Sequence, residues 1–545
     1  MTVRQAIAEA LERAAREIGA EGELPDLELA RTRNASHGDF ASSAGMKLAR
    51  VLRRRPDQIA EELVAAIRLP GGEAEAEADR GYVNFRLRPE WLQRLVGEVV
   101  AAGPRYGSSD LGGGERVQVE YLSTNPTGPL HIGHGRGAIL GDALASLLGF
   151  TGHATWREYY VNDYGKQAHL FGASILARLR DQDPPENGYV GDYVNELAEK
   201  ARAAGVGESE EELMEFGLAL MVERFQALLE RLGVRYDAWF SERSLWATGE
   251  AQKAIERLRE KGLLKERDGA TWFAPAIDEE GGDADDRVVF RSNGVHTYFA
   301  SDLGYLLNRF ETRGFQRVIE VWGADHHGYV PRMKQACAAL GIEADRLAII
   351  LNQFVTLKEG KMSKRAGRFV TLEELLDEVG SDAVRWFYLL RAPETMMEFD
   401  LELATTHNKT NPVYYVQYAH ARLAGIERTA AGRELPAEAD LALLDKPWEL
   451  DLARQLAHWP DTVAEATRLM EPHRLPYFIY ELADRVSTFY EAGNDNGDFR
   501  VVVDDARLTR ARLELTRAAR ATLRSGLDLV GVSAPERMER IPEEE

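Results

Sequence analysis

Cysteine is almost missing: Cys337 is the single one among 545 residues. A chain with one thiol has no internal disulfide framework, and such sparing use fits a reducing compartment. No window approaches the ~20 uninterrupted apolar residues of a membrane span. The opening "MTVRQAIAEALERAAREIGAEGE" is a charged amphipathic helix pattern that lacks the apolar segment of a secretory signal. A soluble, cytoplasmic protein with no membrane partner is expected. Basic excess is missing too: 89 acidic against 67 basic side chains give a formal net charge of −22. Phosphate contacts need positive charge, yet a large acidic protein can carry a basic groove, so the total decides little. Internal repeats of roughly 20–50 residues are also absent.

Apolar material is plentiful. Hydrophobic residues make up 44% and charged residues 29% of the chain, which supports packed cores and opposes disorder. The length suggests about three or four domains. Residues 1–108 read as a small α+β unit, from an opening helix pattern to the alternating strand signal "GYVNFRL". The glycine-rich "GSSDLGGGE" reads as a linker. From 115 to 385, "RVQVEYLS", a glycine-rich turn, "AILGDALASLLGF" and "ATWREYYV" give strand, turn, helix, strand. That grammar predicts an α/β domain on a parallel, Rossmann-type sheet, with an acidic insertion at about 181–290. From about 400 to 545 the periodicity is nearly all 3.6, which predicts an all-α bundle.

Two stretches carry chemistry. In "NPTGPLHIGHGRG", His131, Gly133 and His134 fall between a strand and a helix. There, unpaired N–H groups and the helix dipole favour an anion. Both histidines lie on one face of the first turn, and Gly133 leaves room for a flat ring against the backbone. A metal is the weaker interpretation, since structural zinc wants four ligands, and two histidines capping a turn is the bland one. The second stretch, "EGKMSKRAGR", places Lys361, Lys364, Arg365 and Arg368 on a glycine-flanked loop. Such lysines can close over a transferring polyphosphate; alone they equally suit a solvated basic turn.

Together, "HIGH" and "KMSK" resemble the two signatures of the class I aminoacyl-tRNA synthetases. The blocks "VEYLSTNPTGPLHIGHGRGAILGDALASLLGFTGHATWREYYVNDYGKQ", "HGDFASSAGMKLA", "GYVNFRL", "TYFASDLGYLLNR", "GADHHGYVPRM", "NPVYYVQYAHAR" and "APERM" narrow the resemblance to the bacterial arginyl-tRNA synthetases. "KMSK" is complete here, whereas many arginyl enzymes carry a degenerate form. The motif Asp-Ala-Leu-Arg of the family's anticodon domain appears as Asp382-Ala383-Val384-Arg385, and the acidic "ERIPEEE" at the end has no counterpart in the pattern.

The resemblance implies an ATP-dependent, AMP-forming arginine–tRNA ligase of translation. Such an enzyme makes arginyl-adenylate and pyrophosphate, then passes arginine to the terminal adenosine of arginine tRNA. It implies catalytic roles for His131, His134, Lys361 and Lys364, with Gly133, Met362 and Ser363 joining the ATP site. It implies an arginine pocket of Glu120, Asn125, His131, Tyr298, Asp302 and Asp325. A guanidinium offers five donors in a planar fork, which carboxylates match best, and Tyr298 and Asp302 are four apart on a predicted helix start, so they face the same way. Asp325 and His327 are expected at the active site; zinc with Cys337 is the minor alternative. For tRNA, the resemblance implies Asn84 and Phe85 near the N-terminus and Tyr415, Tyr418, Tyr490 and Met538 in the helical domain, with His420 and Arg422 just beyond. Aromatic faces there suit unstacked anticodon bases, whereas Tyr414 and Phe489 suit the bundle core. ATP with Mg²⁺ as substrate, no tightly bound cofactor, no resident metal and a monomer complete the expectation. A small nucleotidyltransferase would have no use for the helical domain, and a silent RNA-binding paralogue would not be expected to keep all four catalytic residues.

Overall fold

The computed structural model describes residues 2–32, 34–274, 287–358 and 370–539. Lys361, Met362, Ser363 and Lys364 lie outside the described residues.

Five parallel strands organise the centre. In spatial order they are Leu347–Asn352, Arg317–Gly323, Arg116–Tyr121, Ala154–Val161 and Ala238–Ser241. The first strand in sequence, Arg116–Tyr121, is central; the chain runs outward one way, returns, then runs outward the other way. This is doubly wound α/β topology, and its switch point lies between Arg116–Tyr121 and Arg317–Gly323. Arg116–Tyr121 is buried from Val117 onward, as expected of a parallel strand covered on both faces. The helix Ile132–Phe150 lies against it so tightly that a Cβ on Gly141 would stand 2.1 Å from Tyr121 Cγ.

The strand Ala238–Ser241 falls inside the span predicted as an insertion, yet it pairs with Ala154–Val161 as the fifth member of the sheet. Four residues are too few to show a period. The helices Asp192–Ala204 and Glu210–Arg231 precede it, and a small antiparallel sheet of Leu264–Arg267, Ala270–Phe273 and Arg287–Phe290 follows.

The N-terminal unit is a four-stranded antiparallel sheet packed with the helices Val3–Glu17, Ala44–Leu52 and Pro56–Ala66. The C-terminal unit is a bundle of Pro412–Ala430, Pro447–Ala457, Trp459–Leu469, Arg474–Asp495 and Ala506–Val530. One apolar core runs through all three, from Val3 to Val532. The "GSSDLGGGE" stretch is pinned rather than loose: Gly112 N–H donates to Thr151 O at 2.8 Å, and beside it Trp459 Nε1 donates to Tyr106 O at 2.9 Å.

The Asp382-Ala383-Val384-Arg385 motif turns out to be a clasp. Buried Arg385 donates to Asp142 Oδ2 at 2.6 Å, to Leu232 O at 3.2 Å and to Val530 O at 2.9 Å. Asp382 accepts from Ser533 N–H at 2.9 Å and from Gln417 Nε2 at 2.8 Å. Its two charged ends thus bind the bundle to the sheet domain. The Leu-to-Val change lies at a fully buried apolar position and leaves both contacts intact.

Candidate active site

The histidine turn stands at the carboxyl edge of the sheet, beside the switch point. His131 caps the helix Ile132–Phe150, and the two histidines bond reciprocally: His134 N–H donates to His131 Nδ1 at 3.3 Å, and His131 N–H donates to His134 Nδ1 at 3.2 Å. Their rings stack with centroids 3.4 Å apart. Because each Nδ1 accepts, the proton of each neutral ring sits on Nε2. Burial, then the neighbouring His131, drives the His134 pKa down to about 3. Burial also lowers His131, against the pull of Asp325. Both rings therefore work as neutral hydrogen-bond donors, and the positive end of the helix supplies the field.

Gly133 has a sharper reason than room for a ligand. A Cβ there would stand 2.9 Å from His131 Cε1, so any side chain pushes the His131 ring aside. Tyr388 Oη donates to Ile132 O at 2.7 Å, Tyr159 Oη to Thr124 O at 2.7 Å and Tyr193 Oη to Thr127 O at 2.7 Å, fixing the turn on three sides. Leu122 and Ser123 adopt positive φ, 72° and 31°, as the chain leaves the first strand. Strain of this kind concentrates at functional turns.

A cavity of about 350 Å³ opens above three strand ends. Its walls include Thr124, Asn125, His131, His134, Asp325 and Phe354. Buried Arg136, on the same helix, donates to Gln353 O at 3.2 Å, Thr395 O at 2.8 Å and Ala392 O at 2.9 Å, tying the far wall to the histidine turn. The described flank of the lysine loop is also tied there: Ile132 N–H donates to Val370 O at 3.4 Å and Leu372 N–H to Leu130 O at 2.8 Å. That flank, more than 200 residues from the histidine turn in sequence, thus meets it at the edge of the sheet.

Next to this cavity lies a second, acidic site. Asp302 is half-buried on the helix Tyr298–Leu307 and accepts from the Tyr329 hydroxyl. Burial raises its pKa to about 6. Glu242 is fully buried at the start of the helix Glu242–Ala247 and is pushed to about 8 by burial, with Asp302 and Asp163 adding repulsion. Ser301 and Tyr160 donate to it. Tyr298, half-exposed, reaches Asn162, and Asn162 and Asn125 bond through their amides at 2.8 Å. Glu120, at the end of the first strand, is buried beside Ser123 and Arg309. Two carboxylates held at raised pKa form a trap for a cation.

The sequence pattern missed Glu242, Asn162 and Tyr160. A signal existed: "SERSLW" follows the strand Ala238–Ser241, and strand ends are where such folds place ligands. Assigning that stretch to an insertion hid it.

Several expectations need correction. His327 is exposed, its Nδ1 turned to Ala324 O at 3.2 Å, and the adjacent His326 lines the cavity instead. Cys337 is fully buried within an apolar core. Phe85 is fully buried in the N-terminal core and Asn84 nearly so, because their strand is sandwiched between two others. His420 is buried too, its Nδ1 2.9 Å from Pro535 O. Tyr414, expected in the core, is half-exposed and stacks with Tyr418 at 6.4 Å, while Phe489 is core as expected. Tyr415 turns aside, donating to Ser487 Oγ at 3.0 Å. Arg422 lies over Tyr418 at 4.7 Å and over Tyr490 at 4.1 Å, so these three form one half-exposed stack; Met538 is half-exposed as well.

A doubly wound sheet with paired neutral histidines at its switch point, joined to a helical bundle, defines a class I aminoacyl-tRNA synthetase. Comparison with known proteins resolves the class. Residues 1–87 match the arginyl tRNA synthetase N-terminal domain, 96–389 the catalytic domain of class I tRNA synthetases (R), and 416–538 the DALR anticodon binding domain. The arginine–tRNA ligase of Moorella thermoacetica is 45% identical over 97% of each chain, and that of Desulforudis audaxviator 43% over 98% of each. Among solved structures, the arginyl-tRNA synthetase of Thermus thermophilus superposes with a TM-score of 0.81 at 25% identity, covering 98% of this chain and all of that one. The chain belongs to the arginyl-tRNA synthetase family.

Proposed function

We propose that the protein is an arginine–tRNA ligase. It activates L-arginine with ATP to arginyl-adenylate and pyrophosphate, then transfers arginine to the 3′-terminal adenosine of arginine tRNA. The observation that carries this is the adjacency of two sites on one sheet edge: neutral donors at a helix N-terminus for phosphate, and buried carboxylates for a guanidinium.

Little covalent chemistry is asked of the protein; positioning and charge stabilisation suffice. The arginine carboxylate attacks the α-phosphate, and pyrophosphate leaves. His131 and His134 Nε2–H groups donate to phosphate oxygens, and the helix terminus adds its field. Because both rings stay neutral, the charge of the leaving pyrophosphate falls to Lys361 and Lys364, with Mg²⁺ accompanying ATP; Met362 and Ser363 belong with them to the ATP site. Asp302 and Glu242 grip the guanidinium, Tyr298 closes over it, and Asn125 and Glu120 hold the amino-acid end near His131 and Asp325.

The same chain carries both substrate sites and a tRNA face, which supports action as a monomer; the translation role puts that action in the cytoplasm, with ATP–Mg²⁺ entering as substrate. Its functional units are 1–108, 115–385 and 400–545. The Tyr418–Arg422–Tyr490 stack suits splayed anticodon bases, with Met538 and Tyr415 beside it.

The test is a charging assay on purified protein with a panel of amino acids, with and without arginine tRNA. Arginine alone should be charged, and ATP–pyrophosphate exchange should require the tRNA. Robust exchange with another amino acid, or none with arginine plus tRNA, refutes the assignment.

A further inference from the structure

Three glutamates stand in one row across the central sheet. Glu320 pairs in register with Glu120, and Glu120 with Glu158. Aligned residues on neighbouring strands project to the same face, with side chains about 5 Å apart. All three are buried. Three like charges in a row inside a core are untenable unless covered by opposite charge.

Two arginines from one short segment cover them. Arg309, fully buried, donates to Glu320 Oε1 at 2.5 Å and to Glu120 Oε2 at 3.1 Å, with its guanidinium 4.0 Å from the Tyr305 ring centre. Arg313 forks onto Glu158, which also accepts from Gln118 Nε2 and Tyr305 Oη, each at 2.6 Å. Arg309 Nε and Nη2 and Glu320 Oε2 find no further hydrogen-bond partner among the described residues. The guanidinium of Arg309 is thus shared between two carboxylates and committed to little else. With all three ionised, three carboxylates against two guanidiniums leave one negative charge over. Glu320 and Glu158 lie deeper than Glu120, which is the member 8% exposed and bonded to Ser123, a residue of the cavity wall.

We infer that Arg309 is a positioning residue for the amino-acid site: by dividing itself between Glu120 and Glu320, it sets how much of the ladder's surplus charge Glu120 offers to the substrate. This rests on the arginine-ligase assignment above. The groups facing Glu120 are Glu320 and Glu158 on its two neighbouring strands and Arg309 above; the phenols of Tyr160, Tyr236 and Tyr305 are neutral neighbours. Asp302 faces Glu320 and Arg309 from the helix before. Burial first, then Glu320, raises the Glu120 pKa to about 8, and Arg309 opposes the rise. Arginine binding should therefore tighten as pH rises through that range and Glu120 ionises.

Two substitutions then have opposite effects, which a merely structural role does not produce. Glu320→Gln frees Arg309 for Glu120, so the arginine-binding transition moves to lower pH and binding at pH 7 tightens, by about threefold to tenfold. Arg309→Met uncovers Glu120, so the transition moves up and binding at pH 7 weakens about tenfold or more, recovering toward pH 9. Arg309→Lys keeps the charge and recovers part of the loss. Isothermal titration with arginine from pH 6 to 9 reads the transition, and ATP affinity and melting temperature, measured alongside, should move little in Glu320→Gln. If both substitutions shift the transition the same way, or arginine and ATP affinities fall together, the inference is overturned while the ligase assignment stands. If the unmodified protein fails to bind and charge arginine, both fall.

Discussion

Replacing Asp302 by Asn isolates the charge of the proposed guanidinium grip. The Tyr329 hydroxyl that donates to Asp302 can donate equally to the amide oxygen, and the amide fills the same space. What disappears is one charge-assisted contact in a half-buried site, worth about 1.5–3 kcal/mol, or roughly ten- to 150-fold in affinity. The arginine KM in tRNA-dependent exchange should rise by that factor, while the ATP KM changes less than about twofold. The pH dependence gives a second check. Burial raises Asp302 to about 6, so its carboxyl is protonated below that pH and ionised above it. In the unmodified enzyme the charge-assisted grip is therefore lost as pH falls through about 6. Asp302→Asn should remove that component of the profile. Equal losses for arginine and ATP, or an unchanged acid limb, would refute a direct guanidinium contact.

Gly133→Ala should raise the ATP KM about tenfold or more with little change in melting temperature, because the new Cβ meets only the His131 ring. Arg385→Leu should lower stability by about 3–5 kcal/mol in thermal or denaturant unfolding, since it removes the near partner of buried Asp142 Oδ2 and leaves that carboxylate only Arg157 at 3.7 Å and the Arg235 N–H at 3.3 Å, both on Oδ1. Adding Asp142→Asn should return part of that loss, and no recovery would argue against the pair. Tyr418→Ala should weaken arginine tRNA by about 1–3 kcal/mol, read as its KM, and leave the arginine KM in place. An unchanged tRNA KM would remove the aromatic stack from the tRNA face.

By itself, the sequence determined the parallel α/β centre, the helical bundle and the histidine turn at a helix start, because each is written locally. A strand, glycines and an apolar helix follow one another around His131 and His134, and the 3.6 period persists through the last third of the chain. It also supplied Glu120, Asn125, Tyr298 and Asp302, by resemblance. Tertiary structure alone decided what depends on distant strands meeting. Glu242 joins Asp302 because the four-residue strand Ala238–Ser241 enters the sheet, a pairing too short to leave a pattern. Phe85 is turned inward and Tyr414 outward, because the packing of neighbouring strands and helices decides which face of an aromatic residue is wet. The glutamate ladder is likewise invisible in sequence: Glu120, Glu158 and Glu320 share one register only because three strands separated by long crossovers align in parallel. Local propensity specifies elements, whereas register and burial are properties of the assembled sheet.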